Sequence, residues 1–449
     1  MRPILYLVAC AAMLAIGGCA KESERPVATG KANIRAINSI PGSPQINFLI
    51  EARSLGAVNY KSTSATAQYD DLSYTFNFDT RLAGDTTATR VASYDLDVVA
   101  DMDYTFLIGG ALDSPTITLW QEPIKTFAGD EDYMSLRIGH TAASLGDVDV
   151  FFGPPGTVPV AGQALGTLSY GEYLPPMDVV EGDYVLTYTP AGDPGTILFQ
   201  SDTLTFNRQT TLLLTIFDSD ENDTSPWSVR LMNLVAGSAG LIADVNYPPT
   251  VRFIQASINF PDSDIYDDDP LTTPIVAGHT FRDVTGDIPM PSGTVPITYT
   301  TAGDTSMVLI DLDRDITAGA HQQYIVTHVG DADQLLASLP NRRSISTVAR
   351  FSVVDTASNF DGLDVYIVPM GESIDDASPL FFALSVGLSP LQISLPENDF
   401  DIYVTATGDK TTVVAGPIPL SAQLGGVYDA IIYDTTDPNV ADFEFIPPP

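Results

Sequence analysis

TYTPAGD at residues 187–193 and TYTTAGD at residues 298–304 differ by one letter across 111 positions. Such a repeat is chance, a duplicated site or duplicated architecture, and the surrounding residues decide which. Ala-Gly-Asp ends both, returns at Ala83-Gly84-Asp85, and has a close variant at Thr407-Gly408-Asp409. Upstream of Gly84, Gly192, Gly303 and Gly408 lies an Arg between apolar or small residues: Arg35, Arg137, Arg252 and Arg350. The Arg-to-Gly separations are 49, 55, 51 and 58 residues, and successive Arg residues stand 102, 115 and 98 apart. A third marker follows each Arg, twelve residues on for Asn47, Asp149 and Asp264 and fourteen on for Asp364. Three markers in one order, four times over, exclude chance. A period near 100 residues is too long for a solenoid unit and matches one compact domain.

Within each copy the apolar residues alternate, which is the signature of strands. Tyr184, Leu186 and Tyr188 face one way, with Val185, Thr187 and Thr189 opposite; Val295, Ile297 and Tyr299 repeat this against Pro296, Thr298 and Thr300. The Gly that follows suits a turn with positive φ, where a Cβ would clash. Long amphipathic helical stretches are absent, and DADQLLASL (331–339) is the best candidate for a short helix. Short strands between Gly, Pro and Asp turns predict an all-β chain of four tandem antiparallel β-sandwiches, immunoglobulin-like in architecture. The repeats are placed at 32–127, 133–245, 248–340 and 345–449. TYTxAGD is then a strand and its turn.

The joints are short: QEPIKTFAGDEDYMS (121–135) and the PPT of NYPPT (246–250). Four domains in line would span roughly 130 Å, taking about 13 Å as the radius of gyration of each.

The chain opens MRPILYLVACAAMLAIGGCAKESERP (1–26). Arg2 precedes an apolar run from Ile4 to Ile16, too short for the roughly 20 residues that span a bilayer. It reads as an export signal over 1–18. Ile16-Gly17-Gly18-Cys19 fits a bacterial lipobox, with Cys19 as the lipidated thiol; the alternative is an ordinary cut after Ala20. Acyl chains stabilise membrane attachment by about 0.8 kcal/mol per buried CH₂. Residues 19–31 form a short tether. The expected location is the outer membrane of a Gram-negative bacterium, where Ala after the cysteine directs sorting. The other cysteine, Cys10, leaves with the signal. The repeats are therefore expected to stand on their apolar cores, without disulfides, a Cys-bound metal or a thiol nucleophile.

The formal net charge of −37 argues against nucleic acid, whose binding rests on Lys and Arg neutralising phosphates. It argues equally against a basic membrane-binding patch. Acidity also serves solubility.

The recurrent charges have a structural reading first. Alternation puts Arg137 and Asp149 on the same side of two strands taken as neighbours, and Arg252 with Asp264 and Arg350 with Asp364 repeat the pattern. As cross-strand pairs each would contribute about 0.2–1 kcal/mol. Three acidic segments, read as loops, are denser. FDSDENDTS (217–225) offers Asp218, Asp220 and Asp223; PDSDIYDDDP (261–270) offers Asp262, Asp267 and Asp269; DLDRD (311–315) offers Asp311, Asp313 and Asp315. Solvated turns are the first reading and calcium the second, since that ion takes six to eight oxygens. None has the EF-hand pattern.

Catalytic signatures are missing. HExxH, GxSxG, the P-loop and GxGxxG do not occur. Of the four histidines, His140 fills a polar slot held by Asn38 in copy one and Gln255 in copy three. His321 and His328 flank a strand without a carboxylate at metal-ligand spacing. Two acids suffice for glycoside hydrolysis, which leaves that chemistry as a remote alternative. Trp120 and Trp227 occupy matching places near the ends of copies one and two, Phe443 and Phe445 that of copy four; core packing is their first reading and sugar stacking their second.

With VRFIQAS (251–257), LRIGHTAA (136–143), DVDVFF (147–152) and LDVYIV (363–368) in view, the chain resembles the domain of unknown function 4397 family. The likeness runs from residue 33 to about 447, and copy one departs most, with Asn47 in place of Asp. The resemblance implies envelope-anchored tandem β-domains and brings no catalytic residues. The expected function is a non-catalytic envelope lipoprotein that binds or adheres to an extracellular polysaccharide or an envelope protein. The alternative is a structural spacer or assembly subunit.

Overall fold

A computed structural model describes residues 27–387 and 391–448 of the chain; the signal segment and Cys19 lie outside these residues. All regular structure among them is strand. Repeat 3 shows the plan most simply. One sheet runs Ile288–Pro289, Thr250–Gln255, His321–Val329, Ala332–Ser338, and the other Val276–His279, Ser263–Tyr266, Gly293–Thr301, Asp304–Ile316. The inward side chains of both sheets, among them Val251, Phe253, Ile265, Ile297, Tyr299 and Val326, fill one core. Repeats 1, 2 and 4 each repeat this with two sheets and a core of their own. The chain is a set of tandem β-sandwiches.

The first sheet of each repeat holds one parallel pair. Lys31–Asn38 runs parallel to Met102–Ala111, Tyr133–His140 to Thr211–Asp218, Thr250–Gln255 to His321–Val329, and Ala349–Asp355 to Val427–Asp434. A parallel pair needs a long crossover, and the strands of the second sheet supply it. The segment DADQLLASL is a strand, not a helix: Ala332–Ser338 forms a hairpin with His321–Val329. Its adjacent leucines serve opposite faces, Leu335 in the core of repeat 3 and Leu336 in the contact with repeat 4. Period two wins because both faces are covered.

That second covering sets the arrangement of the repeats. In Thr211–Asp218 every residue is buried. Leu212, Leu214 and Ile216 enter the core of repeat 2, while Leu213 and Phe217 pack on Ile37, Leu107 and Trp120 of repeat 1. A strand buried on both faces reads as a continuous apolar run. Repeats 3 and 4 pair in the same way, through Ile254, Ile325, Val354, Ile431 and Tyr433. The four repeats do not lie in line: Ser346, on the approach to repeat 4, donates its N–H to the Gly42 carbonyl of repeat 1 at 2.7 Å.

Candidate binding cleft

The recurrent Arg and Asp do not pair across neighbouring strands. Arg137 lies in the first sheet of its repeat and Asp149 in the second, and Arg252/Asp264 and Arg350/Asp364 are divided likewise. Strand alternation set each side chain's parity correctly, but the two strands belong to different sheets. Each residue has a separate task.

The aspartates hold the marker turns. Gly192 donates its N–H to Asp149 Oδ2 at 2.8 Å, Gly303 to Asp264 Oδ2 at 2.8 Å, and Gly408 to Asp364 Oδ2 at 2.9 Å. The other oxygen takes a donor from the next strand, Gly278 N–H for Asp264 and Ala383 N–H for Asp364. The four glycines have φ of +80°, +77°, +77° and +75°, the left-handed region that disfavours a Cβ. In repeat 1, no such bond ties Asn47 to Gly84 among the described residues.

The polar slot is a further local device. Asn38, His140, Gln255 and Asp355 each accept the N–H of the residue two ahead, at 3.0, 3.4, 3.1 and 2.9 Å. This ends the first strand of every repeat. Because His140 accepts at Nδ1, its Nε2 carries the proton and donates to the Gly146 carbonyl at 3.0 Å. Burial pushes Asp355 up to about 7.

The arginines face the neighbouring repeat. Arg35 reaches Asp103 at 2.7 Å, and Arg137 of repeat 2 reaches the same carboxylate at 3.2 Å and Glu122 at 2.5 Å. All four side chains are buried. Burial raises Glu122 above the usual carboxylate range, with Arg137 pulling against it. Trp120 closes the contact, donating its indole N–H to the Gly171 carbonyl at 2.7 Å and packing on Tyr173. Trp227 is half-buried against the core of repeat 2.

The segment 217–225, the end of the strand Thr211–Asp218 and the loop after it, is the hub of the assembly. Asp218 accepts N–H groups from Ala143 and Ser144, and Asp434 does the same for Ser358 and Asn359 in repeat 4. Lys61 of repeat 1 reaches Asp220 at 2.6 Å and Asp223 at 2.7 Å, and Arg230 reaches Asp223 at 3.0 Å. Burial alone would raise Asp223, but Lys61 and Arg230 more than offset it and hold it low. Here the protein's own cations meet the carboxylates considered for calcium. Asp262 and Asp269 are exposed and Asp267 half-buried. DLDRD is no loop: Asp311, Asp313 and Asp315 are exposed along the edge strand Asp304–Ile316, where charge deters strand addition. Among the described residues no three His, Cys, Asp or Glu side chains converge as a metal site.

A cleft of about 1100 Å³ opens where repeats 2, 3 and 4 meet. Asp287 sits on its wall in a bidentate pair with Arg342, at 2.5 and 2.8 Å, with His321 at 3.5 Å and Arg252 at 3.6 Å. Burial would raise Asp287, and Arg342 above all holds it below the usual range. Burial, aided by Arg342, also lowers His321 and so favours its neutral form. Arg252 is 3 % exposed and donates to the Pro447 carbonyl at 2.8 Å, while its Nε has no hydrogen-bond partner. The Gln323 side chain makes no hydrogen bond among the described residues. Tyr247 from the joint before repeat 3 and Phe445 from repeat 4 line the opening, 39 % and 37 % exposed.

The register explains why a cleft forms here. Opposite the marker arginines in the parallel strands stand Thr105, Leu213, Gln323 and Val427. Two residues earlier in repeats 1 to 3 are Asp103, Thr211 and His321. Counted from the polar slots, which lie three residues after Arg35, Arg137 and Arg252 but five after Arg350, the place of Asp103, which clamps two arginines in the first pair, falls in the second to His321 and Val427, and both line the cleft. The corresponding end of the first pair, lined by Glu122 and Arg137, holds a pocket of only about 370 Å³.

Of the cleft, sequence reasoning singled out Asp223, Arg252, His321 and Phe445 and missed Asp287, Arg342, Gln323 and Tyr247. Arg342-Arg343 is the chain's one adjacent pair of cations, and that was the available signal. His321 does have a carboxylate partner, Asp287, 34 residues away in sequence.

No curated protein matches the chain. A solved structure described as the Bacillus anthracis TIE protein is similar at 9% identity over 92% of this chain and 69% of that one, with a TM-score of 0.15, too slight a likeness to bear on the fold. The sequence model of a domain of unknown function (DUF4397) matches residues 32–151, which span repeat 1 and repeat 2 into the strand Val148–Gly153, including LRIGHTAA and all but the last residue of DVDVFF. The repeat that departs most from the motifs thus lies within the match, and residues 32–151 match the model of the domain of unknown function 4397 family.

Proposed function

We propose that this protein is a non-catalytic envelope lipoprotein, anchored through Cys19, that presents tandem β-sandwiches for binding an extracellular polymer or another envelope protein. One observation carries the reading: most of the residues repeated across the copies are engaged in architecture. Arg35 and Arg137 lock repeats together, Asp149, Asp264 and Asp364 hold turns, and the slot residues end strands. What remains unengaged is concave surface between repeats, the usual place for a ligand.

Two experiments test it. Cys19→Ala should move the protein from the membrane fraction to the soluble one; a variant that still sediments with the outer membrane overturns the anchor. The full-length protein should be retained on polysaccharides or envelope extracts, in millimolar calcium and again in chelator. Retention lost in chelator assigns binding to the acidic segments, and retention in both assigns it elsewhere. Retention on nothing favours the spacer reading, which the locked interfaces also suit.

A further inference from the structure

Resting on that binding reading, we propose that the cleft between repeats 2, 3 and 4 is a site for a neutral oligosaccharide. Three observations converge on this chemistry. Sugar rings offer apolar C–H faces and hydroxyl edges, so a site for them needs exposed aromatic faces beside planar polar groups. The cleft has Tyr247 and Phe445 exposed at its mouth, next to the guanidinium of Arg252, the amide of Gln323 and the carboxylate of Asp287.

The polar groups are also incomplete. A buried donor without a partner costs about 1–3 kcal/mol and calls for an explanation in an unmodified fold. The Gln323 amide, on a side chain buried and lining the cleft, makes no hydrogen bond among the described residues, and Arg252 Nε beside it has only a long 3.6 Å approach to Asp287 Oδ1. In the first pair of repeats the equivalent Arg35 is fully engaged, its Nε donating to Thr66 Oγ1, its Nη1 to Thr105 Oγ1 and its Nη2 to Asp103. Here a ligand hydroxyl oxygen would accept from Nε, and Gln323 offers both a donor and an acceptor beside it.

Charge selects the neutral class. Arg342 and Asp287 cancel each other, Asp223 is matched by Lys61 and Arg230, and Glu221 and Asp429 border the cleft with Arg252 as the one further cation among the described residues, within a chain of net charge −37. An anionic glycan would meet repulsion throughout its approach. The volume of about 1100 Å³ lies just above the range of roughly 300–1,000 Å³ typical of small-ligand sites, which suits several rings.

The test is titration calorimetry of the full-length protein in a detergent without a sugar headgroup. The probes are cellopentaose, maltopentaose, N-acetyl-chitopentaose and, as the anionic contrast, pentagalacturonate. At least one neutral probe should bind, and Tyr247→Ala and Gln323→Leu should each weaken it tenfold or more with the thermal midpoint unchanged. Binding to no neutral probe, tighter binding of pentagalacturonate, or binding indifferent to both variants overturns the proposal. If both variants are retained on envelope extracts as well as the parent, the cleft assignment fails while the binding function stands. Loss of retention by both, with folding intact, supports the two together.

Discussion

Repeats 1 and 2 meet through the same sheet faces as repeats 3 and 4, yet one contact is sealed and the other opens into a cleft. In the first pair, Asp103 sits between Arg35 and Arg137, Glu122 takes the remaining side of Arg137, and Trp120 fills the space beside them. In the second pair the place of Asp103 falls to His321 and Val427, and Arg252 turns to the Pro447 carbonyl while Arg350 turns to Asn341 and the Arg343 carbonyl. One position in one strand thus separates an interface from a site. The lesson is that a repeated marker fixes how domains dock, and the residue facing it decides what the docking encloses.

The largest break of this comparison is Asp103→Ala. It leaves two buried guanidiniums without their shared carboxylate, and removing one partner of a buried pair costs about 3–5 kcal/mol. Urea unfolding should show repeats 1 and 2 melting earlier, whereas His321→Ala in the second pair should shift the curve far less. Equal shifts would mean the two interfaces are alike.

The polar slots sharpen the contrast next, since Asn38 serves in the first pair where Asp355 serves in the second. Burial raises Asp355 to about 7, from an ordinary value of 3.8. The folded state therefore holds a proton that the unfolded chain has released between those values, and stability from this group is full below about pH 4 and lost as pH rises through 7. Asp355→Asn should remove that loss, stabilising the protein at pH 8 by a few kcal/mol at about 1.4 kcal/mol per unit of pKa, and leave it little changed at pH 4. Thermal melts across pH check this; parallel profiles for parent and variant would contradict it.

Smaller effects belong to the turns. Asp264→Ala removes the acceptor of both Gly303 and Gly278 N–H and should cost about 1–3 kcal/mol, with hydrogen exchange accelerating at those two amides first. Asn47→Ala in repeat 1, where no clasp to Gly84 exists, should cost less. Gly192→Ala should be milder still, about 1 kcal/mol of backbone strain, because nothing crowds the position where its Cβ would stand. An Ala there that melts like the parent would show that the turn tolerates other conformations.

Much of the fold was legible in short stretches. Alternation in DYVLTYT and VPITYT placed Leu186, Tyr188, Ile297 and Tyr299 in cores, and the glycine after each has the positive φ that its place at the strand's end implied. The parity of Arg137 against Leu136 and Ile138 was legible as well. Its partner was not, because the carboxylates it meets, Asp103 and Glu122, lie in another repeat. DADQLLASL misled for the same reason: Leu335 and Leu336 look like one helical face until a second repeat is there to cover Leu336. The acidic segment 217–225 suggested an ion, and the tertiary structure brought Lys61 from 159 residues away to Asp220.

The sequence by itself determined that this is a β chain in four repeats, where its turns fall, and which side of each strand a residue occupies. Those properties depend on neighbours a few positions apart, through φ preferences and period-two alternation. Only the tertiary structure decided what covers each side, and hence that Arg137 is locked while Arg252 lines a cleft. That outcome rests on contacts between residues far apart in the chain, set by the docking of whole sheets.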